Sequence, residues 1–463
     1  MENFETPVSL ALPVEICRLV GYYAAASLGE FKTLVDAGVV DNHPLALSHL
    51  QHDFFSMSGA QGAIEPALFA GVRRLRLIHT SNEDLANIVR LAPRVEELDL
   101  GRCVHLYLAH TNLLSELTCL RMLRMMDCTT LSSHTGVRHL NLIRCSPVGG
   151  DLRSLRTLKL HHCVMAEDVQ LSPKLRSFQV NGYFSAFKRG WSLRSMSSLQ
   201  ELNLTMCLNI TDEQAAGIGC MKDLHTLTLL ECELLSNFAF LTSLSKLRVL
   251  TVSKNFDWRM LPHLTLDCFT AIRCNASDLH WLASQSALRI VRLHGYSDQD
   301  PAPVLGDLLP KWPLLHTLDL SHWSHFLSTR GLAVFPSVKH LTVDHCTWIN
   351  NHELHILACS FPNLESLSAK RTRIGDDGLG ILQFWKLGRE LRDLSLSGCF
   401  VADRGLLHLH SFPLLSRLDL SDCDIARVDK LPTSITELDV TRCHKLEMDS
   451  LWPLTARQVK ITC

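Results

Sequence analysis

From residue 72 onward one pattern of apolar and polar positions returns along the chain. It runs apolar, two variable, apolar, one variable, apolar, two variable, and then usually cysteine. It reads Val95-Glu96-Glu97-Leu98-Asp99-Leu100-Gly101-Arg102-Cys103, then Leu120-Arg121-Met122-Leu123-Arg124-Met125-Met126-Asp127-Cys128. It returns from Leu155 to Cys163, Leu199 to Cys207, Val338 to Cys346, Leu391 to Cys399, Leu415 to Cys423 and Ile435 to Cys443. The central apolar residue falls at 75, 98, 123, 140, 158, 178, 202, 227, 250, 269, 291, 318, 341, 367, 394, 418, 438 and 459, eighteen copies in all. Strict alternation around that residue predicts a short strand, and a period of roughly 20–29 residues predicts a stacked repeat.

Alternation sends the leucines inward and the residues between them to the open face of the sheet. One unit cannot bury its apolar side alone, so neighbours stack on a continuous core. The spacing is uneven. Copies between 123 and 158 are 17–18 residues apart, too short for a helical return, and those between 291 and 394 reach 23–27. Eleven of the 17 cysteines (103, 128, 145, 163, 207, 232, 274, 346, 399, 423 and 443) share one inward slot. No Cys-x₂-Cys pair accompanies them, so a stack of reduced, buried thiols is expected rather than a metal site. Aromatics replace the slot cysteine at Tyr183, Tyr296 and Trp323, and Trp323 reads as an inward filler.

These residues resemble the cysteine-containing leucine-rich repeats, in which the cysteine precedes a motif like Ile-Thr-Asp-x-Gly-Leu. Ile210-Thr211-Asp212, Ile374-Gly375-Asp376-Asp377-Gly378-Leu379 and Val401-Ala402-Asp403-Arg404-Gly405-Leu406 match it, and Asn350-Asn351-His352-Glu353-Leu354 is looser. Thr, Asp or Asn before an apolar stretch is expected to cap a helix. The resemblance implies an α/β fold over residues 72–463, a curved leucine-rich-repeat solenoid with a parallel β concave face and a helical convex face.

Residues 1–71 lack the repeat and read as a small α-helical region, with helices from Pro13 to Tyr23, from about Leu28 to Ala37, and from Pro44 to about Phe55. Leu12-Pro13-x-Glu15-Ile16-x-x-Leu19-Val20, followed by Leu28 and Leu34, is similar to an F-box. That resemblance implies docking on a Skp1-like adaptor of a cullin ubiquitin ligase through Leu12, Pro13, Ile16, Leu19, Leu28 and Leu34. The tryptophan usual near Gly38 is missing. Residues 25–38 also resemble half an ankyrin repeat, and a plain helical cap on the apolar end of the solenoid meets the same physical need.

Charge narrows the partner. Forty-five Lys plus Arg against 47 Asp plus Glu leave −2, without the basic excess that nucleic-acid binding requires. No apolar run is long enough to insert in a membrane, and the first residues carry acids without bases, so an intracellular setting, cytoplasmic or nuclear, is expected. The 24 histidines form no His-Glu-x-x-His, and nucleophile-elbow and phosphate-loop patterns are absent. The chain is therefore expected to be non-catalytic, without a cofactor, and to bind a protein on its concave face. The candidate contacts are Arg124, Met126, Arg144, Lys159 and His161 in a basic and apolar patch, with Arg292, Asp319, Asp419 and Asp439 further on. Arginine also recurs just after the first leucine, at 121, 138, 156, 176, 248, 289 and 392. An anion-binding ladder and a row of stems covering apolar surface both fit, and the second is preferred. The leading functional reading is an F-box-like substrate receptor of a ubiquitin ligase; the alternative is a scaffold in a cytoskeletal, ciliary or surface assembly.

Overall fold

Leucines spaced two apart and buried on one side oblige the backbone between them to pair with neighbouring strands, since a buried amide left without a partner is costly. The computed structural model describes residues 53–55, 73–78, 85–86, 89–90, 92–101, 113–131, 136–148, 151–164, 170–182, 193–253, 264–274, 276–295, 302–323, 334–382 and 390–463. The chain divides into two units, residues 1–221 and 222–463. Each is by itself a curved leucine-rich-repeat solenoid, because the strands stack more closely than the bulkier segments that return between them.

In the first unit eight strands pair in parallel, in chain order. They are β1 (Asp53–Phe55), β2 (Arg74–Ile78), β3 (Glu97–Gly101), β4 (Met122–Met126), β5 (His139–Ile143), β6 (Thr157–His161), β7 (Ser177–Asn181) and β8 (Glu201–Thr205). β1 lies where a helix ending near Phe55 was expected: its Asp53 pairs with Arg76 and its Phe54 with Leu77, as one more rung of the ladder. Leu12, Pro13, Ile16, Leu19, Leu28 and Leu34, with the helices expected over them, lie outside the described residues, as do Tyr183 and Tyr296. The returns of the 17–18-residue repeats are extended, as their length dictates. Ser146–Val148 pairs with Thr129–Leu131, and Gln170–Leu171 with Asp151–Leu152.

The second unit stacks eleven strands, again parallel and sequential. These are β9 (Thr226–Leu230), β10 (Val249–Ser253), β11 (Cys268–Cys274), β12 (Ile290–Gly295), β13 (Thr317–Asp319), β14 (His340–Thr342), β15 (Ser366–Ser368), β16 (Asp393–Ser395), β17 (Arg417–Asp419), β18 (Glu437–Asp439) and β19 (Lys460–Thr462). The expected helical convex face is realised only in part, because helices are few. The α-helices of seven residues or more among the described residues are α1 (Ala302–Leu308), α2 (Asn351–Ser360) and α3 (Asp376–Leu382), beside a nine-residue 3-10 helix, Ala276–Ser284. The three α-helices fall in the repeats that are longest in sequence. Shorter repeats, after their strand and turns, return through short α or 3-10 segments instead.

The cysteine slot closes each strand. The residue before it is left-handed, with φ 55° at Asp127, 51° at Arg144, 53° at His162, 60° at His345 and 57° at Asp422. That conformation is unfavourable for a side-chain-bearing residue, and here each such amide is drawn onto a carbonyl of the next repeat. Arg144 donates to His161 at 2.8 Å, His162 to Asn181 at 2.7 Å and His345 to Lys370 at 2.8 Å. The slot side chain then donates inward. Cys346 Sγ lies 3.1 Å from the Leu320 carbonyl, Cys423 Sγ 3.1 Å from Leu396 and Cys443 Sγ 3.1 Å from Leu420. The ten slot cysteines that are described are buried, reduced thiols. Burial pushes the thiols of Cys346 and Cys423 up to about 12, so they remain protonated donors. Trp323 occupies the same slot, fully buried, and its Nε1 donates to the Leu293 carbonyl at 2.7 Å. Thr372 fills it two repeats further on, donating to Ala369 at 2.9 Å and touching Cys399 Sγ at 3.3 Å.

The capping expectation holds at Asn350, whose Oδ1 accepts from the amides of His352 and Glu353 at 2.8 and 3.2 Å. One residue further into each motif a second polar side chain reaches across to the next repeat. Asn351 Oδ1 accepts from Gly375 N, Asp376 Oδ1 from Ala402 N, and Asp403 Oδ1 from Ala426 N, each at 2.8 Å. So Asp376 and Asp403 tie repeats together rather than simply capping their own helices. The glycine of the motif makes room for this tie. A Cβ on Gly378 would meet Asn351 Oδ1 at 2.6 Å, and one on Gly405 would meet Asp376 Oδ1 at 2.5 Å.

At the last strand the register differs from the sequence count. Ile461, not Val459, pairs with Leu438, and Thr462 rather than Lys460 stands beside Asp439. Gln458 takes the left-handed turn (φ 60°), which moves the strand along while Val459 still fills the core. Trp452, shortly before this strand, is 78% exposed. The inter-repeat tie yields a stability prediction. Asp376→Ala leaves the Ala402 amide without its acceptor and lowers unfolding free energy by roughly 1–3 kcal/mol in urea titration, whereas Asp376→Asn, which keeps an acceptor oxygen, loses less.

Candidate protein-binding face of the repeat strands

Parallel pairing without slippage puts equivalent residues of successive repeats in straight columns. In the first unit the central column reads Arg76, Asp99, Arg124, Asn141, Lys159, Gln179 and Asn203. Two residues along each strand a second column brings Met126, Ile143 and His161 side by side. Arg124, Met126, Lys159 and His161 thus form one patch, with Asn141 and Ile143 between them. Asp99 stands between Arg76 and Arg124, with carboxylate–guanidinium distances of 3.7 and 3.8 Å. Arg144 does not join the patch as an open cation. It sits in the left-handed turn, and its Nε and Nη2 grip Asp127 at 2.6 and 2.8 Å. Partial burial, helped by His162, Lys159 and Arg124, lowers the pKa of His161. At neutral pH it presents a neutral ring.

The second unit has a different character. Its column runs Thr228, Thr251, Thr270, Arg292, Asp319, Thr342, Ser368, Ser395, Asp419, Asp439 and Thr462. Arg292 reaches Cys268, with Nη1 3.6 Å from Sγ. The carboxylates are held by hydroxyls and amides two residues on. Ser321 Oγ and N donate to Asp319 Oδ1 at 2.5 and 3.0 Å, and Thr441 Oγ1 and N to Asp439 Oδ1 at 2.6 and 2.9 Å. Asp419 Oδ2 takes Ser395 Oγ at 2.7 Å and Lys370 Nζ at 2.8 Å. The side chains of Ser368, Asp393, Ser395, Arg417, Asp419 and Asp439 line one shallow depression.

Burial raises the pKa of Asp319 and Asp419, but hydrogen bonds outweigh it. His294 and Ser321 hold Asp319 below the usual carboxylate value, and Lys370, Ser421 and Ser395 do so for Asp419. His294 Nε2 lies 3.0 Å from Asp319 Oδ2. Next to it the rings of His322 and His345 stack at 4.6 Å, only 10° from parallel. Lys370 and the hydroxyls of Ser321, Ser395, Ser421 and Thr441 were not singled out from sequence. The signal was there in Asp319-x-Ser321, Asp419-x-Ser421 and Asp439-x-Thr441, since residues two apart on a strand face the same way.

Among the described residues no group of three or more His, Cys, Asp or Glu is placed to hold a metal ion. No helix among them is long and apolar enough to cross a membrane. The fold on which these columns stand is the leucine-rich-repeat fold, set by its own strands and slots. Among solved structures the chain is similar to a leucine-rich-repeat protein of Leptospira interrogans (15% identity, 91% of this chain and 97% of that one, TM-score 0.40). It is also similar to an internalin of Listeria monocytogenes (14% identity, 84% and 90%, TM-score 0.32) and to TLR13 in a TLR13–ssRNA13 complex (14% identity, 86% and 66%, TM-score 0.45). No model of a protein family and no curated protein matches the sequence.

Acid titration tests the carboxylate network. A folded-state pKa below the unfolded value means that the stabilisation is present at neutral pH and is lost as pH falls. Wild type is therefore expected to lose stability below about pH 4, and Asp419→Asn to show a flatter decline there, read from urea midpoints at successive pH values.

Proposed function

We propose that this chain is a non-catalytic recognition module that holds a protein partner on the strand face of its repeats. One observation carries the reading. The leucines and slot residues of every described repeat point into the core, while the columns between them vary freely in charge and size at fixed register. Such a face costs the fold little to change and offers a partner many polar contacts on a rigid support. In the first unit the contacts are Arg124, Met126, Lys159 and His161, with Arg144 acting through its pair with Asp127. In the second they are Arg292, Asp319, Asp419 and Asp439. Arg124→Glu with Lys159→Glu is expected to weaken capture of the cross-linked partner at least tenfold, about 1.4 kcal/mol, with no change in melting temperature. Unaltered capture removes the patch from the account.

The finer reading is that the partner is a substrate and the protein an F-box-like receptor of a cullin ubiquitin ligase. It is supported by the likeness of Leu12, Pro13, Ile16, Leu19, Leu28 and Leu34 to an adaptor-docking segment. The full chain is then expected to bind a purified Skp1-like adaptor, and Leu12→Asp with Leu19→Asp to abolish that binding. If the adaptor does not bind, the module is a scaffold and the segment serves as a cap.

A further inference from the structure

The arginines after the first leucine are not equivalent in the two units. In the first, Arg121, Arg138, Arg156 and Arg176 stand at the starts of four consecutive strands and form one column. The amide of each donates to the carbonyl of the one before it: Arg138 to Arg121 at 2.9 Å, Arg156 to Arg138 at 2.8 Å and Arg176 to Arg156 at 2.8 Å. All four side chains are exposed. No carboxylate among the described residues lies in ion-pair reach of any of them. The same column in the second unit alternates. Lys339 pairs with Glu365 at 2.6 Å, Asp267 separates Arg248 from Arg289, and Arg248 donates to the carbonyls of Ser245, Leu247 and Thr265.

Glu96 precedes Arg121 in this column but pairs with Arg73 at 3.6 Å, and the four like charges that follow, at the spacing of adjacent strands, about 4.8 Å, repel one another. A row of stems covering apolar surface does not require that every head be cationic, or that the acids be displaced. Acids are in fact scarce here. Residues 101–200 hold 13 Lys and Arg against 5 Asp and Glu, in a chain with 45 against 47 overall. On the same strands Arg124 and Lys159 extend the positive field inward from Arg121 and Arg156.

We propose that this arginine column is a docking strip for an acidic, extended segment of the protein partner. The proposal rests on the recognition reading above and adds the chemistry of what is recognised. Three strand spacings make the strip about 14 Å long, the reach of roughly four extended residues. Guanidinium groups suit carboxylates because each offers two parallel donors. A polynucleotide is the poorer fit. The outward residues beside the arginines are Met122, His139, Thr157 and Ser177, without the Phe, Tyr or Trp platforms on which single-stranded bases stack.

The test uses the full chain and a fluorescein-labelled peptide of alternating Glu and Ser, followed by anisotropy at low and moderate salt. Arg138→Glu with Arg156→Glu is expected to weaken binding by about tenfold or more, with an unchanged melting temperature. Arg289→Glu with Arg392→Glu, at the same places in the second unit, is expected to stay within about twofold, and added salt to weaken the wild-type complex. Absence of peptide binding, equal binding by both double variants, or tighter binding of a labelled thymidine oligonucleotide overturns the proposal. If the peptide fails while Arg124→Glu with Lys159→Glu still abolishes partner capture, the recognition reading stands and only the acidic chemistry falls.

Discussion

Everything in this protein depends on one requirement: each strand must hand its backbone to the next at an unchanged register, and must then turn sharply beneath it. The leucines drive the stacking, at roughly 1.5–3 kcal/mol for each fully buried side chain, but burial alone does not fix a turn. The turn is fixed by a left-handed residue whose amide reaches the next repeat, followed by a small or slender donor aimed at a buried carbonyl. Cysteine meets that need because it is nearly apolar, fits the space and still carries an S–H. Trp323 shows that the requirement is the donor, not the sulfur. Its indole N–H sits on the carbonyl of the preceding repeat that the slot must satisfy, whereas Thr372 donates within its own repeat, to the Ala369 carbonyl that Cys399 also reaches.

Once the turn is secured internally, the outward positions are released from packing the core, although carboxylates such as Asp419 still join neighbouring strands by hydrogen bonds. Their charges are then organised by neighbours in the column rather than by the core. The two units use this freedom differently. In the second, Asp319 and Asp419 are surrounded by hydroxyls, amides, His294 and Lys370, which favour their ionised form without a partner present. In the first, Asp99 is shared by two arginines at long range, and the outer column, after Glu96 at its head, holds four arginines in succession with no acid between them. Order within the column thus becomes a statement about the chemistry each face is prepared to meet.

Much of this was legible in the sequence. The period and alternation located every repeat strand except β1, and shifted only the last by two residues, at a left-handed Gln458 that no spacing rule announces. Repeat length told which returns are extended and which are helical, although it overstated the helices, because a single turn satisfies a short return as well as a full helix does. Trp323 was recognisable as a core residue from its place in the phrase. By contrast, the role of Asp376 and Asp403 was hidden. A carboxylate at a helix start reads as a cap, and only the approach of the next repeat reveals that its oxygen lies 2.8 Å from another backbone amide.

The sequence by itself determined what is periodic: the strand, the inward leucine, the slot and the column to which each variable residue belongs. These follow from local alternation and chain length, which act within a single repeat. Tertiary structure decided what passes between repeats. It set the partners of the carboxylates, tied Arg144 to Asp127, stacked His322 on His345 and left four successive arginines with no acid between them. Those outcomes turn on which side chains from strands about 23 residues apart come within hydrogen-bonding reach, and distance along the chain carries no record of that.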